Sequence, residues 1–184
     1  MRVIAGRYGG RRLRAPRGRT TRPTAERVRE AVYGMLGSVH GDIVLDLFAG
    51  SGAMGIEALS RGARRAVFVE RDRAAMAALQ ANLAALGLGG ERTEARPEDA
   101  LRALESARKR QETYDLLLID PPYGHASELG PVLNESLPAL LAAGARVVVE
   151  SDRRAPLQLE LGLELELARE RRYGDTEIRI YHRL

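Results

Sequence analysis

A strand that passes through a glycine-rich turn into a helix constrains this chain more than any other feature. Ile43-Val44-Leu45-Asp46-Leu47-Phe48 is an almost unbroken apolar run, as a strand covered on both faces requires. Ala49-Gly50-Ser51-Gly52-Ala53-Met54-Gly55 follows at once, with the spacing G-x-G-x-x-G. Glycine lacks a Cβ, so the backbone can turn sharply and a ligand can approach it at the start of the next helix, expected over 53–61. The unit speaks against all-helical and all-antiparallel folds. It predicts a site at the strand's carboxyl end.

The alternation continues downstream. AVFVE (66–70) predicts a second strand, 72–86 a long alanine- and leucine-rich helix, 91–95 a weaker strand and 98–110 a helix. LLLID (116–120) predicts a fourth strand, 127–142 a mostly helical stretch and ARVVVE (145–150) a fifth strand. The tail changes period: 163–170 and 176–183 alternate like strands around a Tyr173-Gly174-Asp175 turn. Repeated βα units imply an α/β fold, a mostly parallel sheet with helices on both faces. The closing hairpin puts an antiparallel strand at or near one edge.

Upstream, residues 1–15 read as a short hairpin, with Val3 and Ile4 before a Gly9-Gly10 turn and Leu13 after it. Residues 16–23 read as loop. Thr24 is a plausible N-cap for a helix whose apolar positions are Val28, Ala31, Val32, Met35, Leu36 and Val39. The expected division is a basic extension over 1–40 and a main domain over 41–184. A length of 184 residues suffices for one such domain with a buried core.

Charge and composition narrow the function. Residues 1–30 carry ten arginines against Glu26 and Glu30, a net +8, while the whole chain is +4 and the remainder therefore −4. Arginine forks contact phosphates and release counterions, so the arm points to a polyanion, with a solvated face as the plain alternative. No apolar run approaches the roughly 18 residues that span a bilayer. The first residues lack the apolar stretch of a secretory signal, so a cytoplasmic protein without a membrane partner is expected. With no cysteine, disulfides, thiolate zinc sites and cysteine nucleophiles are excluded. The three histidines, His40, His125 and His182, are scattered, no metal-ligand spacing exists, and no metal is expected.

Two further elements give the glycine turn a chemistry. Glu70 ends the second strand twenty residues after Gly50, where a carboxylate can accept hydrogen bonds from ribose hydroxyls. NAD and S-adenosylmethionine both fit that pair. Asp46 leans toward the second, because a carboxylate there suits a cationic methionine end and repels a pyrophosphate. Glu98-Asp99-Ala100 can read an adenine edge, although the acids also suit a helix N-terminus. The candidate cofactor-binding residues are Asp46, Phe48, Ala49, Gly50, Ser51, Gly52, Glu70, Arg71, Glu98, Asp99, Ala100 and Asp120.

Asp120-Pro121-Pro122-Tyr123 follows the fourth strand and supplies the candidate catalytic residues. Prolines lack amide hydrogens and fix the backbone, so the Asp120 carboxylate and the Pro121 carbonyl can both be held as acceptors. Two acceptors suit the two hydrogens of a planar amine, and Tyr123 offers a face for stacking a base. His125 is the one histidine near this element. Methyl transfer to a ring-conjugated nitrogen is the chemistry these groups fit.

The residues now resemble a known family, the RsmD-type methyltransferases of bacterial 16S ribosomal RNA. The resemblance spans nearly the whole chain: Arg2-Val3-Ile4-Ala5-Gly6 with Gly10 and Arg11, Arg22-Pro23-Thr24 with Arg27-Val28-Arg29-Glu30, the glycine turn, Glu57-Ala58-Leu59-Ser60-Arg61-Gly62-Ala63, Glu70 and Asp120-Pro121-Pro122-Tyr123. It implies a class I S-adenosylmethionine-dependent, Rossmann-like fold with a seven-stranded sheet. It also implies methylation of the exocyclic N2 of guanine 966 during small-subunit assembly, with S-adenosyl-L-homocysteine as product. The implied partner is 16S RNA or the small-subunit precursor, and the enzyme a monomer. The arm residues it suggests for RNA binding are Arg2, Arg7, Arg11, Arg12, Arg22, Thr24 and Arg27. A DNA adenine-N6 methyltransferase shares the Asp-Pro-Pro-Tyr logic but needs a target-recognition region that this length barely accommodates. A nicotinamide dehydrogenase leaves that tetrapeptide unexplained, and an RNA-binding protein without activity explains only the arm.

Overall fold

The computed structural model describes residues 1–16, 26–122, 126–160 and 165–184, of which 126–128 by backbone alone. In chain order the elements are α1 (Glu26–Leu36), β1 (Ile43–Asp46), α2 (Ala53–Ser60), β2 (Arg65–Val69), α3 (Arg73–Ala85), β3 (Thr93–Arg96), α4 (Ala100–Lys109), β4 (Tyr114–Ile119), α5 (Ala126–Ser136), β5 (Leu141–Asp152), β6 (Leu165–Tyr173) and β7 (Thr176–Arg183). The strands form one seven-stranded sheet in the order β3-β2-β1-β4-β5-β7-β6. Pairings from β3 through β5 are parallel. β7 runs antiparallel between β5 and β6, so the sheet is mixed in the expected way.

Strand alternation explains the continuous apolar runs. Successive side chains point to opposite faces, and both faces are covered. Val44, Phe68, Leu116, Leu118 and Val148 pack on one side with Val32, Tyr33, Ile56 and Leu79. Leu45, Val67, Leu117, Ile119 and Val147 pack on the other with Leu104, Leu133 and Leu137. Each such side chain contributes about 1.5 to 3 kcal/mol of burial. The order reverses direction at β1, and the crevice beyond the carboxyl ends of β1 and β4 is where ligands bind in open α/β sheets.

Three differences from the sequence expectation bear on the packing, apart from small shifts such as β6 running on to Tyr173. The helix expected over 127–142 ends at Ser136 and tightens into a 3-10 turn over Leu137–Leu140. Pro138 has no amide to continue the helical ladder. β5 therefore starts at Leu141, four residues before the expected strand, and its pairing with β4 shifts between Tyr114 and Leu116. Third, α1 stops at Leu36, so Val39 is buried from beyond the helix rather than on its face.

The described part of the arm is stapled to the body. Val3 and Leu13 lie in the same apolar cluster as Val32 and Ile56. The expected hairpin is present in a short form: an antiparallel bridge pairs Arg2 with Arg12, the Val3 amide donates to the Arg11 carbonyl and the Leu13 amide to the Met1 carbonyl, each at 2.9 Å. The wholly buried Glu57 of α2 accepts from the Ile4 and Ala5 amides at 2.7 and 3.0 Å and from Arg61 at 2.7 Å. Asn82 of α3 accepts from the Arg14 amide and donates to the Ser51 carbonyl. Gly6 has φ +81°, and a Cβ there would lie 2.0 Å from the Ser60 carbonyl oxygen, so only glycine fits this approach.

Candidate active site

Four strand ends converge on one cavity of about 1110 Å³. Asp46 closes β1, Glu70 follows β2, Asp120 follows β4 and Glu150 lies near the end of β5; all four line it. Its size reaches the upper range of small-molecule sites. Of the cofactor candidates, Phe48, Ala49, Gly50, Ser51, Arg71, Glu98, Asp99 and Ala100 also form its wall.

The carboxylates shape the backbone around it. Asp46 Oδ2 accepts from the Gly55 amide in the first turn of α2 at 2.9 Å. Burial pushes the Asp46 carboxyl up to about 7 against that hydrogen bond, and the charge of Glu70 adds to the rise. A cation placed in the cavity would favour the ionised form. Glu70 holds the glycine turn: its Oε2 accepts from the Gly50 amide at 2.9 Å and its Oε1 from the Asp72 amide at 2.7 Å. Gly50 has φ +55° with open space where a Cβ would stand, as suits a turn presented to a ligand.

Gly52 and Gly55 serve packing. Gly52 lies outside the cavity wall, at φ +82°, where a Cβ would meet Leu79 at 2.3 Å. A Cβ on Gly55 would meet the Phe68 ring at 2.4 Å, so the helix can sit this close to β2 only with glycine. Asp99 caps α4 by accepting from the Leu101 amide at 2.9 Å, and Arg71 reaches it at 3.4 Å. Its capping role and its place in the wall coexist. Pro121 is buried and Asp120 exposed toward the cavity. Tyr123 and His125 lie outside the described residues.

Among the arm candidates, Arg2, Arg7, Arg11, Arg12 and Arg27 are exposed; Arg22 and Thr24 lie outside the described residues. Arg2 pairs with Glu26 at 3.0 Å, and Arg11 donates to the Ala85 carbonyl at 3.0 Å. Arg29, counted in the arm's charge, is wholly buried and donates to the Arg2 carbonyl at 2.5 Å. It belongs to the interior rather than to the charged surface. Helical spacing contained the signal, since Arg29 adjoins Val28 and Val32 on the inward side.

Sequence reasoning missed the far wall. Glu150 and Asp152 from the end of β5, Arg154 just after it and Asp175 from the β6–β7 turn extend the cavity past Asp120. The signal was present: IVLD, VFVE, LLID and VVVE each close with a carboxylate, and only the last was passed over.

A family model described as conserved hypothetical protein 95 matches residues 1–182. Ribosomal RNA small subunit methyltransferase D of Escherichia coli is 35% identical over 186 residues, covering 100% of this chain and 90% of that protein. The chain belongs to the RsmD family. Bacillus subtilis YlbH is 39% identical over 98% of each chain. The solved structure of the yhhF protein of Escherichia coli superposes with a TM-score of 0.84 at 35% identity, over 100% of this chain and 97% of that one. The family's fold, a class I methyltransferase sheet, is the one described above.

Proposed function

We propose that this protein transfers a methyl group from S-adenosylmethionine to the exocyclic N2 of a guanine in small-subunit ribosomal RNA, guanine 966 by the resemblance. The observation that carries the reading is the meeting of the Glu70-held glycine turn and Asp120-Pro121-Pro122 in one cavity. The residues present fit the methyl donor: Asp46 suits its ammonium, Glu70 its ribose hydroxyls, and Asp99 with Ala100 its adenine. When bound, S-adenosylmethionine supplies a methyl carbon made electrophilic by a sulfonium.

The chain's own groups act on the acceptor. A guanine amine shares its lone pair with the ring and is a poor nucleophile. Asp120 and the Pro121 carbonyl accept its two hydrogens, which pulls the nitrogen toward a tetrahedral shape and frees the lone pair. The proton lost after N–C bond formation passes to the Asp120 carboxylate. Holding nitrogen and methyl at roughly 3 to 3.5 Å, in line, supplies much of the acceleration. Tyr123 stacks on the base, which must leave any helix to reach the cavity. Exposed arm arginines contact the RNA backbone. The reading implies a cytoplasmic, monomeric enzyme; among the described residues no helix is long and apolar enough to cross a membrane.

The test is methyl transfer in vitro onto small subunits and onto free 16S RNA, both from cells lacking this activity, followed by nucleoside mass spectrometry. N2-methylguanosine at a single position is expected. Label on adenine N6, or none, would refute the assignment.

A further inference from the structure

The last strand-end carboxylate has no part in the chemistry above. The β4–β5 register pairs Leu118 with Val148 and Ile119 with Val149. Continued one residue past the end of β4, this register sets Asp120 opposite Glu150. Neighbouring strands lie about 4.8 Å apart. Leu118 and Val148 belong to one apolar cluster, and residues two apart share a strand face, so Asp120 and Glu150 rise from that same face into the cavity. β5 is interior to the sheet, with Glu150 opposite Ile178 on β7, and Ile178 is wholly buried. A half-buried carboxylate there adjoins apolar neighbours on the core side and the cavity on the other.

We propose that Glu150 is a specificity-determining residue that accepts the N1 hydrogen of the target guanine while Asp120 and the Pro121 carbonyl accept the hydrogens of its N2 amine. The inference rests on the function proposed above and deepens it. Guanine carries two adjacent donor groups on its Watson–Crick edge, N1–H and N2–H2. Adenine offers an amine beside an acceptor nitrogen, so a second carboxylate repels its N1 lone pair. Two carboxylates one strand apart therefore match guanine and reject adenine.

The experiment uses the full chain and small-subunit RNA carrying guanine or 2-aminopurine at the acceptor position. 2-Aminopurine keeps the amine, but its N1 accepts a hydrogen bond instead of donating one. Single-turnover methyl transfer is measured for the wild type and Glu150→Gln, whose amide has nearly the same shape and can donate to that nitrogen. Wild type should prefer guanine. Glu150→Gln should slow guanine by about fivefold to tenfold, because a neutral amide oxygen replaces the charged acceptor. It should also move the preference toward 2-aminopurine by at least about tenfold, with affinity for S-adenosyl-L-homocysteine unchanged. A preference equal to that of the wild type overturns the role of Glu150, whether the rates stay the same or fall together on both bases. Wild-type protein that leaves guanine N2 unmodified refutes the underlying function, and this proposal with it.

Discussion

Replacing Asp46 with asparagine should make the ligand-free protein more stable at pH 8 while spoiling its site. The Asp46 carboxyl titrates at about 7 in the folded chain because it is buried, 4% exposed, against an ordinary value of 3.8. A folded-state value above the unfolded one means the native protein holds the extra proton between those limits. Stability is therefore fully present below about pH 4 and falls as pH rises toward about 7. A span of about three pH units, at about 1.4 kcal/mol each, gives roughly 4 kcal/mol lost above pH 7. The asparagine would keep an oxygen for the Gly55 amide and carry no charge, but its amide hydrogens cost about 1 to 3 kcal/mol if they find no acceptor. A net gain of about 2 kcal/mol remains, which raises the melting temperature by about 4 to 8 °C in a chain of this size. Thermal unfolding followed by circular dichroism at pH 5, 6.5 and 8 measures it. The advantage of Asp46→Asn should shrink as pH falls. Equal or lower stability of the variant at pH 8 would show that no charge is held at this position against its burial.

Other changes separate binding, turnover and architecture. Glu70→Ala removes the acceptor of the Gly50 and Asp72 amides; calorimetry with S-adenosyl-L-homocysteine should show affinity lowered about tenfold to a hundredfold, and an unchanged constant would refute its part in donor binding. Asp120→Ala should keep that affinity and lose most single-turnover methylation, so near-normal turnover would remove it from the chemical step. Glu57→Ala strands the Ile4 and Ala5 amides and Arg61, which should cost about 3 to 5 kcal/mol; a urea midpoint equal to the wild type would contradict the stapling role. Charge reversal of the exposed Arg7 and Arg12 should weaken RNA binding and lower the salt slope by about one per lost phosphate contact, and an unaltered slope in filter binding would leave those side chains as solvated surface.

Deleting the arm would be a poorer test of RNA binding, because Val3 and Leu13 are part of the core. That is also where sequence reading fell short. A run of arginines announces charge, whereas the two apolar residues that fix it to the body are too few to show a period. Glu57 was legible as part of a motif, yet its task, accepting from a backbone 52 and 53 residues away, depends on tertiary folding. The sheet was far more legible, since strands buried on both faces must be apolar throughout. Asp46, Glu70 and Asp120 could be singled out because each interrupts or ends such a run. Glu150 obeys the same rule but was overlooked for want of a glycine turn or proline pair after it. The roles of Gly52 and Gly55 were hidden differently: a bare Cα reads the same whether it faces a ligand or the Leu79 and Phe68 side chains.

The place of β7 has a consequence for the sheet it completes. This strand (Thr176–Arg183) pairs with β5 across seven positions from Arg146 to Asp152. Without it, the Val147-Val148-Val149 segment would have one hydrogen-bonding edge open. An apolar open edge is a template for pairing with other chains. β7 is therefore the cover of that edge as well as a member of the sheet. Removal of residues 176–184 should make the chain aggregate on purification even though every described residue lining the cavity is still present.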